Sequence, residues 1–308
     1  MRIFLSLFLS SLLILNNEGF CQLYVSLSNN KILRYDVSSA NANDIAASAQ
    51  PFISSNLNNP YGMAVDTGGN FLVANYGAAT ISYFNSAGQY QSSISQNVMS
   101  PVGIALDSQN NIYVAQLNNG ISKMDSSGNL IWQIQTRIIN QMFENPNGIA
   151  LDSKQNVYVT MYHSGNIVKL NSNGQILEDS TDTDLRLGKP AGIAINSNDE
   201  IYIGCAGTLN GNITKINESF EQLGVLSTTT TPSGLNPTGL AFDDVGNLYV
   251  ASYFVNTISK FDVNGNFLFN WTTEATPNSL MYSVPEPSAL SLCALGLGAL
   301  ALVRRRRL

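Results

Sequence analysis

Short apolar segments bounded by Pro, Gly and Asp recur through the middle of the chain at a nearly constant spacing. Each copy reads Pro-x-Gly, three apolar residues and then Asp or Asn. A β-rich triplet such as Ile112-Tyr113-Val114 begins eleven residues after each proline. This self-similarity predicts a repeat protein. The five copies, with prolines 41, 45, 44 and 47 residues apart, lie at residues 59–66, 100–107, 145–152, 189–196 and 236–243.

Each repeat predicts four short strands. The Pro-x-Gly segment is apolar throughout, as expected of a strand at a crowded centre, and a turn built on Asp and Asn follows it. The Tyr-Val triplet is the second strand, and an alternating segment such as residues 166–171 is the third. Asn173-Gly174 then turns the chain into a fourth, outer strand. Period-2 patterning with Gly and Asn punctuation indicates an all-β fold, and four strands in about 44 residues are typical of a propeller blade.

The two ends of the array predict how it closes. Leu23-Tyr24-Val25 matches a second strand and residues 31–36 match a third, but no first strand precedes them in the array. Residues 277–283 match the Pro-x-Gly segment and begin 40 residues after Pro237. We therefore predict that they supply the missing inner strand of the N-terminal blade. Five whole blades and one composite blade make a six-bladed β-propeller, closed by pairing of its N- and C-terminal strands.

The repeated phrase also resembles a known family. Asn-Pro-x-Gly-Ile-Ala-Leu-Asp, followed by Gly-Asn-Leu-Tyr-Val-Ala and Ile-x-Lys-Phe, is similar to the NHL-repeat β-propellers over residues 22–283. The resemblance implies the fold and says little about activity. That family usually places Asp directly after Tyr-Val-Ala and Arg a few residues later, so the ring of charge implied for the blade tops is replaced here by uncharged groups. The residues at the Asp position are Asn75, Gln116, Met161, Cys205 and Ser252.

The N-terminal residues predict export. After Arg2, an apolar stretch of about 13 residues has the length of a signal-peptide core and is too short to span a bilayer. We assign residues 1–21 to a signal peptide. Cys21 leaves a lipoprotein alternative open, although the bulky Phe20 precedes it where a small residue is preferred.

The C-terminal residues 284–308 have three parts in order: a Pro-Glu-Pro turn, an apolar span at 288–303 and a basic end. They resemble the PEP-CTERM signal of Gram-negative bacteria, which implies cleavage by an exosortase-type processing enzyme. The 16-residue span is about 24 Å of helix, against a hydrocarbon core of about 30 Å. It predicts a transient inner-membrane anchor with cytoplasmic arginines, followed by release to the cell surface or exterior; an ordinary tail anchor is the alternative. The signal residues are Pro285, Glu286, Pro287, Arg304, Arg305, Arg306 and Arg307.

Charge and cysteine content restrict the partners of the body, residues 22–283. It holds 10 basic and 19 acidic residues. Scattered basic residues in an acidic chain exclude a nucleic-acid footprint and disfavour adhesion to an anionic membrane. Cys205 is its only cysteine, so the exported body has no intrachain disulfide.

One face of the predicted ring collects aromatic and amide side chains, from the loops before each first strand and from the hairpins between second and third strands. Such groups suit a neutral polar ligand such as a carbohydrate. The alternative is that the tyrosines only cover gaps between blades. The candidate ligand-binding residues are Tyr61, Asn75, Tyr76, Gln116, Asn147, Tyr162, His163 and Tyr253.

The sequence offers few candidate residues for catalysis or metal binding. His163 is the only histidine and has no relay partner in its own hairpin, whereas the streptogramin-lyase relatives of this fold use more than one. The recurring aspartates, such as Asp107 and Asp152, occupy the turns between first and second strands and are interpreted as turn caps. No carboxylate is aimed at the channel, where a hard cation needs anionic oxygen. We therefore predict no catalytic residue, metal or cofactor.

Two functional hypotheses follow, and a third is less favoured than either. The favoured one is an exported binding or scaffolding module for polysaccharide or an envelope protein. The alternative is a lyase- or lactonase-type propeller enzyme with a divalent cation in its channel. The third is a structural coat protein without a ligand.

Overall fold

The computed structural model describes residues 21–135, 145–183, 185, 187–206, 211–226 and 236–283. These residues form six four-stranded antiparallel sheets. The inner strands of neighbouring sheets contact one another around a closed ring, so the prediction of a six-bladed propeller is confirmed. The predicted signal peptide (its first 20 residues) and the sorting segment from residue 284 lie outside the described residues.

The strands are named in chain order, and each blade is given from the axis outward. Blade 1 contains β24 (Pro277–Ser283), β1 (Gln22–Leu27), β2 (Lys31–Asp36) and β3 (Gln50–Ile53). Blade 2 contains β4 (Pro60–Val65), β5 (Phe71–Asn75), β6 (Thr80–Phe84) and β7 (Tyr90–Ile94). Blade 3 contains β8 (Pro101–Leu106), β9 (Ile112–Gln116), β10 (Gly120–Met124) and β11 (Leu130–Ile134).

The other three blades repeat this arrangement. Blade 4 contains β12 (Pro146–Leu151), β13 (Val157–Met161), β14 (Asn166–Leu170) and β15 (Ile176–Asp179). Blade 5 contains β16 (Lys189–Ile195), β17 (Ile201–Ala206), β18 (Asn212–Ile216) and β19 (Gln222–Leu226). Blade 6 contains β20 (Pro237–Phe242), β21 (Leu248–Ser252), β22 (Thr257–Phe261) and β23 (Phe267–Thr272).

The ring closes as the sequence predicts. Strand β24 pairs antiparallel with β1, from Gln22 opposite Ser283 to Leu27 opposite Pro277. The side chain of Leu280 joins a core cluster with Leu23 and Val25. Blade 1 is therefore built from both ends of the described chain. Each inner strand starts on the face that carries the blade-to-blade loops and the hairpins between second and third strands, called here the loop face. It ends on the opposite, turn face.

Sequence reasoning missed one helix. Helix α1 (Ala42–Ala47) lies between β2 and β3, and its Ile45 is buried against blades 1 and 6. The Asn41 side chain caps it by accepting from the Asn43 N–H. An Asn before an Ala-rich stretch was the available signal, but six residues are too few for a helical period. Two 3₁₀ turns cover Tyr76–Ala78 and Ser180–Asp182. No helix within the described ranges is long and apolar enough to cross a membrane.

The recurring aspartates cap turns, as interpreted from the sequence. In blade 3, Asp107 Oδ1 accepts from the backbone N–H groups of Gln109 (3.0 Å) and Asn111 (2.8 Å), while Oδ2 accepts from the Asn111 side chain at 2.8 Å. Oδ2 also accepts from the Tyr113 hydroxyl at 3.3 Å and lies 3.3 Å from the Lys123 ammonium. Both carboxylate oxygens are therefore bonded to groups of blade 3 itself.

Replacing Asp107 with Ala is expected to lower the free energy of unfolding by about 3 kcal/mol, because buried donors and the Lys123 ammonium lose their acceptor. Asp107→Asn is the control and should cost less, since Asn196 already makes the same turn in blade 5. Denaturant unfolding measures both variants. Equal losses would show that the ion pair and not the turn carries the effect.

Burial alone would raise the pKa of Asp107, but hydrogen bonds from Asn111, Gln109 and Lys123 outweigh burial and lower it. Its contribution to stability is therefore present above the ordinary carboxyl pKa. It is lost as the pH falls through the lowered folded-state pKa. The difference between wild type and Asp107→Asn should accordingly shrink in acid.

Candidate ligand site at the channel mouth

The six inner strands enclose a cavity of about 290 Å³ along the ring axis. Its mouth on the loop face is formed where the residue after each inner-strand proline faces the next blade. Five of these residues line the cavity, and four of the five are polar. They are Tyr61, Val102, Asn147, Thr238 and Asn278.

Of the predicted tyrosines, Tyr61 lines the mouth, and Tyr76 and Tyr253 lie near it without lining the cavity. The rings of Tyr61 and Tyr76 lie 5.6 Å apart between centroids and are tilted by 54°. Burial raises the pKa of Tyr61 to about 12, and the nearby Tyr253 and Tyr76 add to the rise. The phenol of Tyr61 is therefore neutral at physiological pH. The cluster presents aromatic surface with hydroxyl groups, which can stack against an apolar ring face and hydrogen-bond at its edge.

Asn278 lines the cavity, and its amide oxygen is buried without a partner among the described residues. It is 2% exposed, and its Nδ2 donates to the Pro60 carbonyl at 2.8 Å. Its Oδ1 has no hydrogen-bond partner among the described residues. A buried unpaired amide oxygen is costly unless a donor reaches it. Sequence reasoning did not select Asn278, although its place after Pro277 in the closing strand was the same position that selected Tyr61 and Asn147.

Asn75 and Gln116, two other predicted ligand residues, bond to the loops that lead into β4 and β8 and do not line the cavity. Both are buried, with Asn75 1% and Gln116 0% exposed. The Asn75 amide accepts from the Asn58 N–H at 3.1 Å and donates to Ser82 Oγ at 2.8 Å. Gln116 accepts from the Met99 N–H at 2.5 Å and donates to Ser122 Oγ at 2.9 Å. Their amides hold the loops before β4 and β8, which leaves them little capacity for a ligand.

Tyr162 and His163 lie in the hairpin of blade 4. The Lys189 ammonium lies 5.6 Å from the centroid of the Tyr162 ring, and the two hairpin rings are 5.4 Å apart, edge to face. His163 is exposed, and its Nδ1 lies against the amide of Asn145. Neither residue lines the central cavity. A ligand would have to extend beyond the mouth to reach them.

Acidic groups are absent from the described lining of the cavity, which contains no Asp or Glu. No group of three or more His, Cys, Asp or Glu residues within the described ranges could hold a metal ion. The donors that the mouth does present are amides, hydroxyls and backbone groups. Such a set can recognise an uncharged polar molecule through hydrogen bonds.

Comparison with known proteins identifies the C-terminal segment and the fold. The PEP-CTERM protein-sorting motif matches residues 283–307. No curated protein sequence matches the chain. The nidogen/laminin complex structure contains a chain that is 19% identical with a TM-score of 0.69, and the match covers 86% of this chain and 99% of that one.

Other similar structures include both unassigned and enzymatic propellers. A Bacteroides caccae protein of unknown function is 14% identical with a TM-score of 0.64, covering 87% of this chain and 100% of that one. A catalytically inactive virginiamycin B lyase from Staphylococcus aureus with quinupristin is 14% identical with a TM-score of 0.61, covering 88% and 93%. At these identities the likeness concerns the fold alone. The chain is thus a six-bladed β-propeller that carries a PEP-CTERM protein-sorting motif at residues 283–307.

Proposed function

We propose that this protein is an exported binding module that recognises a neutral polysaccharide of the cell envelope or matrix at the loop-face mouth of its channel. The sorting motif implies export and membrane-associated sorting by exosortase. The proposal assigns the propeller body to recognition after that sorting, at the cell surface or outside the cell.

The observation that carries the proposal is the composition of the mouth, where Tyr61 lies with the polar residues Asn147 and Thr238 and no carboxylate is among the described lining residues. A sugar ring has an apolar face that can lie on a tyrosine and hydroxyl donors at its edge. Asn147 and Thr238, which line the same opening, carry polar groups that can hydrogen-bond to such hydroxyls. The absence of carboxylates from the described lining favours a neutral ligand over a cation.

The test is binding of the purified protein to a panel of envelope and matrix polysaccharides, followed by calorimetry on the best ligand. Tyr61→Ala is expected to weaken binding by up to about tenfold, because loss of one stacking aromatic costs roughly 0.5–1.5 kcal/mol. Tyr90→Ala is the matched control, because Tyr90 is an exposed tyrosine on the outer strand β7. Its affinity should equal that of the wild type.

Two outcomes would contradict the proposal. One is the absence of binding to any neutral polysaccharide in the panel. The other is equal loss of affinity in Tyr61→Ala and Tyr90→Ala, which would place the ligand elsewhere. Thermal unfolding of both variants shows whether the fold is retained.

The enzyme hypothesis, a lyase or lactonase with a channel cation, draws less support. Such an enzyme needs two or more titratable groups that converge on the reacting atoms. Within the described residues, no acid lines the cavity, and the exposed His163 lies outside it. The lyase structures are similar to this chain in fold at 14–18% identity, which does not transfer their activity.

A further inference from the structure

Two rows of hydrogen bonds join neighbouring blades on the turn face. In the inner row, the residue after the turn-capping Asp donates its backbone N–H to a side chain in the turn of the next blade. This row joins blade 2 to 3, blade 3 to 4 and blade 4 to 5. The bonds run from Thr67 to Asn110 Oδ1 (3.0 Å), from Ser108 to Gln155 Oε1 (3.3 Å) and from Ser153 to Asp199 Oδ1 (2.9 Å).

The outer row joins the same three pairs of blades. In each pair, a side chain of the third strand donates to a backbone carbonyl in the turn between the third and fourth strands of the next blade. The bonds run from Tyr83 to Ser126 (3.1 Å), from Lys123 to Ser172 (3.3 Å) and from Lys169 to Glu218 (3.3 Å).

Both rows stop between blades 5 and 6. The turn position that supplies the inner-row acceptor in blades 3, 4 and 5 is Gly246 in blade 6, so the Ser197 N–H has no acceptor among the described residues. Lys215, the outer-row donor, is paired instead with Glu200 of its own blade at 2.8 Å. A cleft of about 450 Å³ lies at this boundary and is lined by Ser197, Lys215 and Gly246. It is larger than the central cavity of about 290 Å³.

The boundary between blades 2 and 3 shows which chemical group the cleft lacks. There the Asn110 amide makes two bonds with Thr67, because its Oδ1 accepts from the backbone N–H and its Nδ2 donates to Oγ1 at 2.7 Å. Ser197 presents the same pair of groups, a backbone N–H and a hydroxyl. A primary amide carries an acceptor and a donor on one edge, whereas the C=O and N–H of a trans secondary amide point in opposite directions. The cleft therefore fits a primary amide better than an acetamido group or a peptide bond.

Charge decides between an amide and a carboxylate. Asp243 and Asp244 line the cleft, and the charge of Glu200 is balanced by Lys215. An incoming carboxylate would be repelled by the two aspartates, whereas a neutral amide would not. The cleft also offers apolar contacts beside the polar groups, since Val245 (69% exposed) and Val263 (64% exposed) lie in its lining.

We propose that the cleft between the turns of blades 5 and 6 is a docking site for a polypeptide partner that inserts an Asn or Gln side chain. The inserted amide accepts from the Ser197 N–H and donates to Ser197 Oγ, which completes the interrupted inner row. In proteins a primary amide belongs to Asn and Gln side chains, and this commits the site to a polypeptide. The cleft lies on the face opposite the channel mouth, so this proposal does not depend on the proposed polysaccharide site.

The experiment uses the exported protein, produced from the full chain, to select peptides from a displayed library of random heptapeptides. The selected peptides should share an Asn or Gln, and changing that residue to Asp or Glu should weaken binding by at least about tenfold in fluorescence polarisation. Gly246→Asn should weaken binding equally, because its own amide would occupy the place of the ligand. The turn admits this residue, since Asn110 holds the same position at φ 61° and a Cβ on Gly246 would come no closer than 3.4 Å to its neighbours.

The matched control is Gly69→Asn, because Gly69 holds the same turn position in blade 2 and does not line the cleft. It should bind the peptides as the wild type does. A second test removes only the hydroxyl acceptor: Ser197→Ala should weaken binding by about tenfold, whereas Ser108→Ala, at the same turn position in blade 3, should not.

Three results would overturn the proposal. They are a library that yields no binding peptide, selected peptides that share no Asn or Gln, and equal affinity in Gly246→Asn and the wild type. Thermal unfolding of Gly246→Asn shows that the fold is retained, and its Tm should equal or exceed that of the wild type. Loss of polysaccharide binding alone would leave this proposal intact.

Discussion

A chain that ends at Thr276 is expected to lose most of its free energy of unfolding, whereas a chain that ends at Ser283 should unfold like the intact body. The seven residues of β24 are the inner strand of blade 1. Without them, six backbone positions of β1 lose their partners, and the buried Leu280 leaves its core cluster. The inner strands β4 and β20 also lose the neighbour that lies between them.

The size of the effect follows from the closed architecture. A domain has only about 5–15 kcal/mol of net stability, and removing β24 opens the ring at the innermost and most crowded strand. We expect the Thr276 chain to unfold over a broad range at low denaturant, with exposed apolar surface. A synthetic peptide of residues 277–283, added in trans, should restore part of the cooperative transition. Coincident unfolding curves for the two chains would refute the role of the closing strand.

The architecture could be predicted because the physical demands on each blade are the same. A small apolar inner strand, an Asp-Asn turn and a Tyr-Val strand repeat at a spacing that periodicity detects directly. Closure was predictable because the missing first strand at one end and the surplus segment at residues 277–283 match. Helix α1 could not be predicted in this way, because its six residues occur in one blade only and are not part of the repeated pattern.

The candidate site was predicted less completely, for reasons of orientation. Sequence position placed Asn75 and Gln116 on the loop face, but both amides are buried and bond to a serine of the adjacent strand in their own blade. Periodicity gives the position of a residue along a strand. It does not say whether the side chain already hydrogen-bonds to a neighbouring loop. The sequence also did not reveal that Asn278 lines the cavity. Only the structure shows that its amide nitrogen donates to the Pro60 carbonyl while its oxygen has no partner among the described residues.

The blades also share an arrangement that sequence reasoning passed over. The tyrosine of each Tyr-Val strand in blades 3 to 6 lies under a lysine of the third strand, with Lys123 4.8 Å and Lys260 5.0 Å from the ring centroids of Tyr113 and Tyr249. The signal was present in the repeated Ile-x-Lys-Phe phrase. A lysine in an alternating strand is ordinarily interpreted as a solvent-facing residue, and only the cross-strand register brings it over the ring.

The inner-strand glycines lead to the second large prediction, that Gly103→Ala destabilises the ring. A Cβ on Gly103 would lie 2.3 Å from the backbone oxygen of Asn147 and 3.0 Å from the Ile149 side chain. Gly103 does not have a positive φ, so the cost arises from packing and not from backbone strain. A backbone oxygen cannot rotate away as a side chain can, so β12 itself must shift from β8.

We expect Gly103→Ala to cost about 3 kcal/mol of stability, which for a body of this size lowers Tm by about 6–12 °C. Gly224→Ala is the matched control, because its Cβ would meet nothing within 4 Å, and its Tm should not fall. Calorimetry on both variants makes the comparison, and equal Tm values would show that the inner strands can separate without cost.

The same substitution links packing to recognition. The atom that Gly103→Ala would displace belongs to Asn147, which also lines the channel mouth. At a temperature where the variant is still folded, its polysaccharide affinity should therefore fall along with its stability. The Asp107→Asn variant weakens blade 3 at the opposite face, and it should lose stability with unchanged affinity. If both variants bind as the wild type does, the ligand is not held at the channel mouth, because a ring that has shifted at Asn147 would still recognise it.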